Sequence, residues 1–134
     1  MIPTLLIGED EPHLEEILTY VAKKLGLKFH VARDGEEVLE RARELVPDLM
    51  LLDLYMPKMN GIDVCRALKN DPDTRGIYII MITASAKKED EDNAYLAGTN
   101  EFMIKPFSPT QLQKRLSQII SDEIQNKLEK SLEK

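Results

Sequence analysis

The chain's 134 residues, 43% hydrophobic and 31% charged, make one ordinary globular domain with a single core. A formal net charge of −6 argues against direct nucleic-acid binding by this domain, because gripping phosphates takes a basic face. The lone cysteine, Cys65, excludes an internal disulfide, and no run spans a membrane or reads as a secretory signal, so a cytoplasmic protein with no membrane partner is predicted.

Taken in order, residues 4–8 are an apolar run that ends at two acids, Glu9 and Asp10, and predict a strand. Residues 12–25 carry Leu14, Ile17, Leu18, Val21 and Leu25 at helical spacing, with Gly26 as C-cap. Glu9 and Asp10 also stand where they would cap that helix. Residues 28–32 predict a more polar strand at a sheet edge. Asp34-Gly35 then opens a helix with the stripe Val38, Leu39, Ala42 and Leu45, which Pro47 stops.

Residues 48–53 place four apolar residues between two acids, the pattern of a strand buried on both faces. Pro57 and Asn60-Gly61 mark a loop, so Asp53 stands at the strand's carboxyl end, where open α/β sheets place their ligands. Residues 61–69 predict a helix that lays the Cys65 thiol against the core. Residues 77–82 predict a buried strand ending in Thr83-Ala84-Ser85. A polar helix at 87–97 has only Ala94, Tyr95 and Leu96 as apolar contacts. Residues 101–104 are the last strand, followed by Lys105-Pro106-Phe107.

Ser108-Pro109 opens the final helix, whose core face is Leu112, Leu116, Ile119 and Ile120. Residues 1–120 thus form the domain, and 121–134 a helical extension that contributes little to the core. Its Ile124, Leu128 and Leu132 drift around a straight helix. They ask for a partner, either a second copy forming a homodimer or an output domain, with a frayed, solvated end as the alternative.

Alternating strands and helices with short loops predict a doubly wound α/β fold with a five-stranded parallel sheet. Parallel strands deliver their carboxyl ends to one edge. Glu9, Asp10, Asp53, Thr83 and Lys105 should therefore meet there, and the three carboxylates suit a hard cation.

Gly8-Glu9-Asp10-Glu11-Pro12, Leu52-Asp53 with Met56-Pro57 and Asn60-Gly61, Ile82-Thr83-Ala84, and Lys105-Pro106-Phe107 resemble the motifs of response-regulator receiver domains, the CheY-like superfamily. The resemblance covers residues 4–120 and implies a flavodoxin-like sheet of order 2-1-3-4-5. It makes Asp53 the phosphoacceptor, attacking a phosphohistidine of a histidine kinase or phosphotransfer protein. Glu9, Asp10, Asp53 and the backbone carbonyl of Tyr55 would hold Mg²⁺ or Mn²⁺, with Glu9 acting mainly through a metal-bound water.

The same resemblance has Lys105 reach the phosphoryl oxygens, and Thr83 bond one of them only after phosphorylation. Phe102 stands at the switch aromatic, and a cis bond would join Lys105 to Pro106. The implied function is a two-component phosphorelay switch that re-forms the surface of the fourth helix, fifth strand and fifth helix for an output partner. The resemblance further implies a switch that catalyses only its own phosphorylation and dephosphorylation, not an enzyme.

This sequence departs from the family pattern at Gly8, where a β-branched residue is usual and a looser first strand is expected. Thr99-Asn100 replaces a small-acidic pair. Glu91 and Gln111 occupy places that hold an interface ion pair in one dimerising branch, leaving Glu101 and Arg115 to pair across such an interface.

Two other classes compete. A haloacid-dehalogenase-type phosphohydrolase needs a second acid two residues after the nucleophile, where Tyr55 stands. A flavodoxin-like cofactor carrier needs a phosphate-cradling loop where Glu9-Asp10-Glu11 would repel phosphate.

Overall fold

Strand β3 (Leu49–Asp53) is buried along its whole length in the computed structural model, which describes residues 2–105, 107–125 and 127. It pairs with β1 (Thr4–Gly8) on one side and β4 (Tyr78–Thr83) on the other. β2 (Lys28–Ala32) and β5 (Glu101–Ile104) form the edges, giving the parallel order β2-β1-β3-β4-β5. The predicted topology and edge strand are therefore observed.

Side chains alternate across the pleat, so each strand feeds two cores. Leu49 and Leu51 face α1 (Pro12–Lys24) and α5 (Pro109–Ile119). Met50 and Leu52 face the layer of α2 (Gly35–Leu45), α3 (Gly61–Lys69) and α4 (Lys88–Leu96). Burying each such side chain stabilises the fold by about 1.5–3 kcal/mol before conformational entropy is set against it. Among the described residues, no helix is long and apolar enough to cross a membrane.

Side-chain caps start four of the helices. Asp34 accepts from Glu37 N, Asn60 from Asp63 N, and Ser108 forms a reciprocal box with Gln111. At α1 the cap is neither Glu9 nor Asp10. Glu11 takes both His13 N and Leu14 N at 2.9 and 2.7 Å, which leaves the two preceding acids to the sheet edge. Helix α4 follows Lys87, whose side chain makes no cap.

Three further expectations change. Gly8 does not loosen β1, because a Cβ there would meet Val38 Cγ2 at 2.9 Å and Leu52 Cδ1 at 3.0 Å; the glycine lets neighbouring side chains close over the strand. Leu96 is 84% exposed and Tyr95 is half exposed, so only Ala94 ties α4 itself into the core.

The tail also contributes more than predicted. Residues Ile120–Gln125 widen into a π-helix that buries Ile124. Continued α-helical spacing from Leu116 and Ile119 would turn the acidic Glu123 inward. The wider turn delays the core position by one residue and brings Ile124 there. Lys127 then donates to the Gly76 carbonyl at 2.9 Å. Leu128 and Leu132 lie outside the described residues.

Candidate functional site

The register brings the carboxyl ends of β1, β3, β4 and β5 to one edge of the sheet. Asp53 ends β3 and is 5% exposed. The turn beneath it is tight: Leu54 N donates to Ile82 O at 2.9 Å, and Gly61 N to Leu54 O at 2.7 Å. A Cβ on Gly61 would fall 2.4 Å from the Asp53 carbonyl oxygen, so only glycine lets α3 begin this close. Asn60 caps α3 from the same corner, which gives the Asn-Gly pair two separate tasks.

Asp53 engages both its carboxylate oxygens. Lys105 Nζ stands 3.2 Å from Oδ2, and Tyr55 N donates to Oδ1 at 3.1 Å. Glu9 is fully buried beside them. Its Oε1 accepts from Glu11 N at 3.3 Å, while Oε2 has no hydrogen-bond partner and lies 3.8 Å from Lys105 Nζ. Burial pushes the Glu9 carboxyl up to about 8, and the adjacent Asp53 carboxylate pushes the same way; Lys105 and the Glu11 N–H oppose them.

Asp10, exposed, completes the cluster. Carboxylate oxygens of Glu9, Asp10 and Asp53 lie within 4.8 Å of one another. One lysine cannot balance three carboxylates, and an unpaired buried carboxylate oxygen is costly. Hard oxygen donors with an orphaned Glu9 Oε2 among them fit a divalent cation such as Mg²⁺.

Thr83 is fully buried at the end of β4, and its Oγ1 accepts from Ser85 N at 3.0 Å. Phe102 lies half-buried on β5 against the α2–α4 side of the core, its ring tilted toward Tyr95 with centroids 6.5 Å apart. Pro106, and with it the cis bond expected after Lys105, falls outside the described residues. The pairing of Glu101 with Arg115 is made within one chain: Arg115 Nε donates to Glu101 Oε1 at 2.7 Å. β5 and α5 bring these two residues together within the chain, with the Arg115 guanidinium still partly exposed.

Sequence reasoning passed over a second set of groups. Tyr55 Oη and Ser85 Oγ both donate to Asp90 Oδ2, at 2.8 Å for Tyr55. Taken singly, Ser85 is a turn residue and Asp90 a first-turn acid of a polar helix. The one signal was Ser85 lying two residues after Thr83, in reach of its hydroxyl. Cys65 is confirmed as a core residue, its thiol pushed up to about 11 by burial.

A family model described as the response regulator receiver domain matches residues 5–117. The chain is 42% identical over 112 residues to the DNA-binding response regulator MtrA of Mycolicibacterium smegmatis, covering 84% of this chain and 48% of MtrA. It thus spans about half the length of the curated relatives it matches. The signal receiver domain of a signal transduction histidine kinase from Syntrophus aciditrophicus is similar at a TM-score of 0.82 and 30% identity, over 90% of this chain and 92% of that one. The receiver domain of sensor histidine kinase PA1611 from Pseudomonas aeruginosa, solved with a magnesium ion in its active site cleft, is similar at 0.82 and 27%, over 91% and 100%.

Proposed function

The chain belongs to the response regulator receiver domain family of two-component phosphorelay signalling, and from that premise we propose that Asp53 is its phosphoacceptor. An Asp53 carboxylate oxygen attacks the phosphorus of a phosphohistidine on a histidine kinase or phosphotransfer protein. The O–P bond forms as the P–N bond breaks, and the electron pair of that bond stays on the imidazole nitrogen. Glu9, Asp10, Asp53 and the Tyr55 carbonyl would hold Mg²⁺ or Mn²⁺, which supplies positive charge where an anionic nucleophile meets an anionic donor.

Lys105 stands at the Asp53 carboxylate as a point charge for the incoming phosphoryl oxygens. Thr83 gives up its bond to Ser85 N and turns its hydroxyl to the phosphoryl group, and Phe102 re-packs behind it. The surface of α4, β5 and α5 then changes for an output partner. On this reading the domain is a cytoplasmic switch, not a turnover enzyme, and it does not bind DNA itself. DNA binding is said of its relative MtrA, a longer protein of which this chain matches 48%.

The observation that carries the proposal is the orphaned Glu9 Oε2 inside a carboxylate cluster whose one lysine already stands at Asp53. A phosphohydrolase reading lacks its acid, since Tyr55 stands two residues after Asp53. With Mg²⁺ and acetyl phosphate, intact-mass spectrometry should record one added phosphoryl group, and Asp53→Asn should take none. Undiminished labelling of Asp53→Asn overturns the assignment.

A further inference from the structure

Asp90 lies in the first turn of α4, the helix with no side-chain cap. A single oxygen of its carboxylate, Oδ2, accepts hydroxyls from two separate loops. Tyr55 comes from the loop after β3 and Ser85 from the loop after β4. Both residues also reach the site through their backbones. Tyr55 N holds Asp53 Oδ1 at 3.1 Å, and Ser85 N holds Thr83 Oγ1 at 3.0 Å. Ser85 Oγ further accepts from Lys87 N at 3.2 Å, which ties the start of α4 to the same group. A continuous run of hydrogen bonds thus leads from Asp53 through Tyr55, Asp90 and Ser85 to Thr83.

We propose that Asp90 is a positioning residue, a latch that holds the Thr83–Ser85 segment and the start of α4 in the unphosphorylated arrangement and so opposes phosphorylation of Asp53. The proposal rests on the reading of Asp53 as phosphoacceptor. To carry its hydroxyl to a phosphoryl group Thr83 must draw its oxygen away from Ser85 N, which holds it at 3.0 Å. Ser85 cannot follow while its own hydroxyl is bound to a carboxylate, because hydrogen bonds to an ionised acceptor are the strong ones. Whatever stabilises the unphosphorylated arrangement alone must weaken when the phosphoryl group is added, and releasing it must ease that addition.

The test follows acetyl phosphate labelling of the full chain with Mg²⁺ by intact mass over time, with melting measured alongside. Asp90→Ala should label about three- to tenfold faster than the unaltered chain. Tyr55→Phe, which keeps every charge, should accelerate labelling less, and adding it to Asp90→Ala should give nothing further. Asp90→Asn keeps an oxygen for both hydroxyls but loses the charge that strengthens those bonds, so its rate should fall between those of the unaltered chain and Asp90→Ala.

Equal or slower labelling by Asp90→Ala overturns the latch, as does a lowered melting temperature with unchanged labelling, the mark of a purely structural tie. Asp90→Asn labelling as fast as Asp90→Ala also overturns it, because charge alone would then explain the gain. An unaltered chain that takes no label sinks the phosphoacceptor reading itself. Labelling without acceleration sinks only the latch.

Discussion

Helices α3 and α4 are each nine residues long, pack side by side on one face of the sheet, and flank the same site. They are built in opposite ways. Helix α3 starts at a capped Asn60, buries Gly61, Val64, Cys65 and Leu68, and sets its basic Arg66 and Lys69 at the negative end of the helix dipole. Helix α4 has no side-chain cap, buries only Ala94, and carries no basic residue in its last turn. The wall of the site beside Asp53 is thus fixed by packing. The opposite wall is fixed by a few polar bonds at one end of a helix, and such low-stability elements are the ones that move in switching proteins.

The widest test of that contrast is a pair of truncations. Leu68→Ala should cost about 2–5 kcal/mol of stability by opening a core cavity. Leu96→Ala should stay within about 0.5 kcal/mol. Urea unfolding of both variants gives the comparison, and equal losses would break it.

A second test asks what the fixed wall costs. Glu9, with its carboxyl raised from an ordinary 4.5 to about 8, binds its proton more tightly folded than unfolded. Without metal, its contribution to stability is complete below about pH 4.5 and is lost as pH rises through about 8. The slope approaches about 1.4 kcal/mol per pH unit at its steepest. Glu9→Gln should flatten that fall. Mg²⁺ should stabilise the unaltered chain more at the alkaline end, since ion and proton compete for the same oxygens.

The smallest effects concern the helix starts. Asn60→Ala should cost about 1 kcal/mol. Lys87→Ser, at a position with the extended φ of −71° and ψ of 127° that a cap needs, should gain about 0.5–1 kcal/mol. A Lys87→Ser gain accompanied by slower hydrogen exchange along α4 would confirm that its start is the weak point.

The sequence foretold the fixed wall far better than the movable one. Asp48-Leu49-Met50-Leu51-Leu52-Asp53 announces a buried strand with an acid at its end, because period and burial are written in consecutive residues. Parallel topology then gathers Glu9, Asp10, Asp53, Thr83 and Lys105. What stayed hidden depends on contacts between residues far apart in the chain. Tyr55 and Asp90 meet across 35 positions, and each alone is an unremarkable polar residue. Glu11 as the α1 cap was obscured by two neighbouring acids competing for the place. The burial of Ile124 stayed hidden because the helix widens at Ile120–Gln125 and a single helical period does not run through it.

That change of helix type sets an angle. Across Ile120–Gln125 the backbone turns through roughly 100° less than an unbroken α-helix of the same length, the rotation of one residue, and this azimuth puts Lys127 on the Gly76 carbonyl. Ile120–Gln125 therefore decides where Ile124 and Lys127 land, and it is a short stretch remote in sequence from Asp53. Insertion or loss of a single residue there should take Ile124 out of the core and Lys127 off the Gly76 carbonyl while leaving the carboxylate cluster as it is. The end of the last helix and the acidic edge of the sheet therefore sit on separate dials, and one can change without disturbing the other.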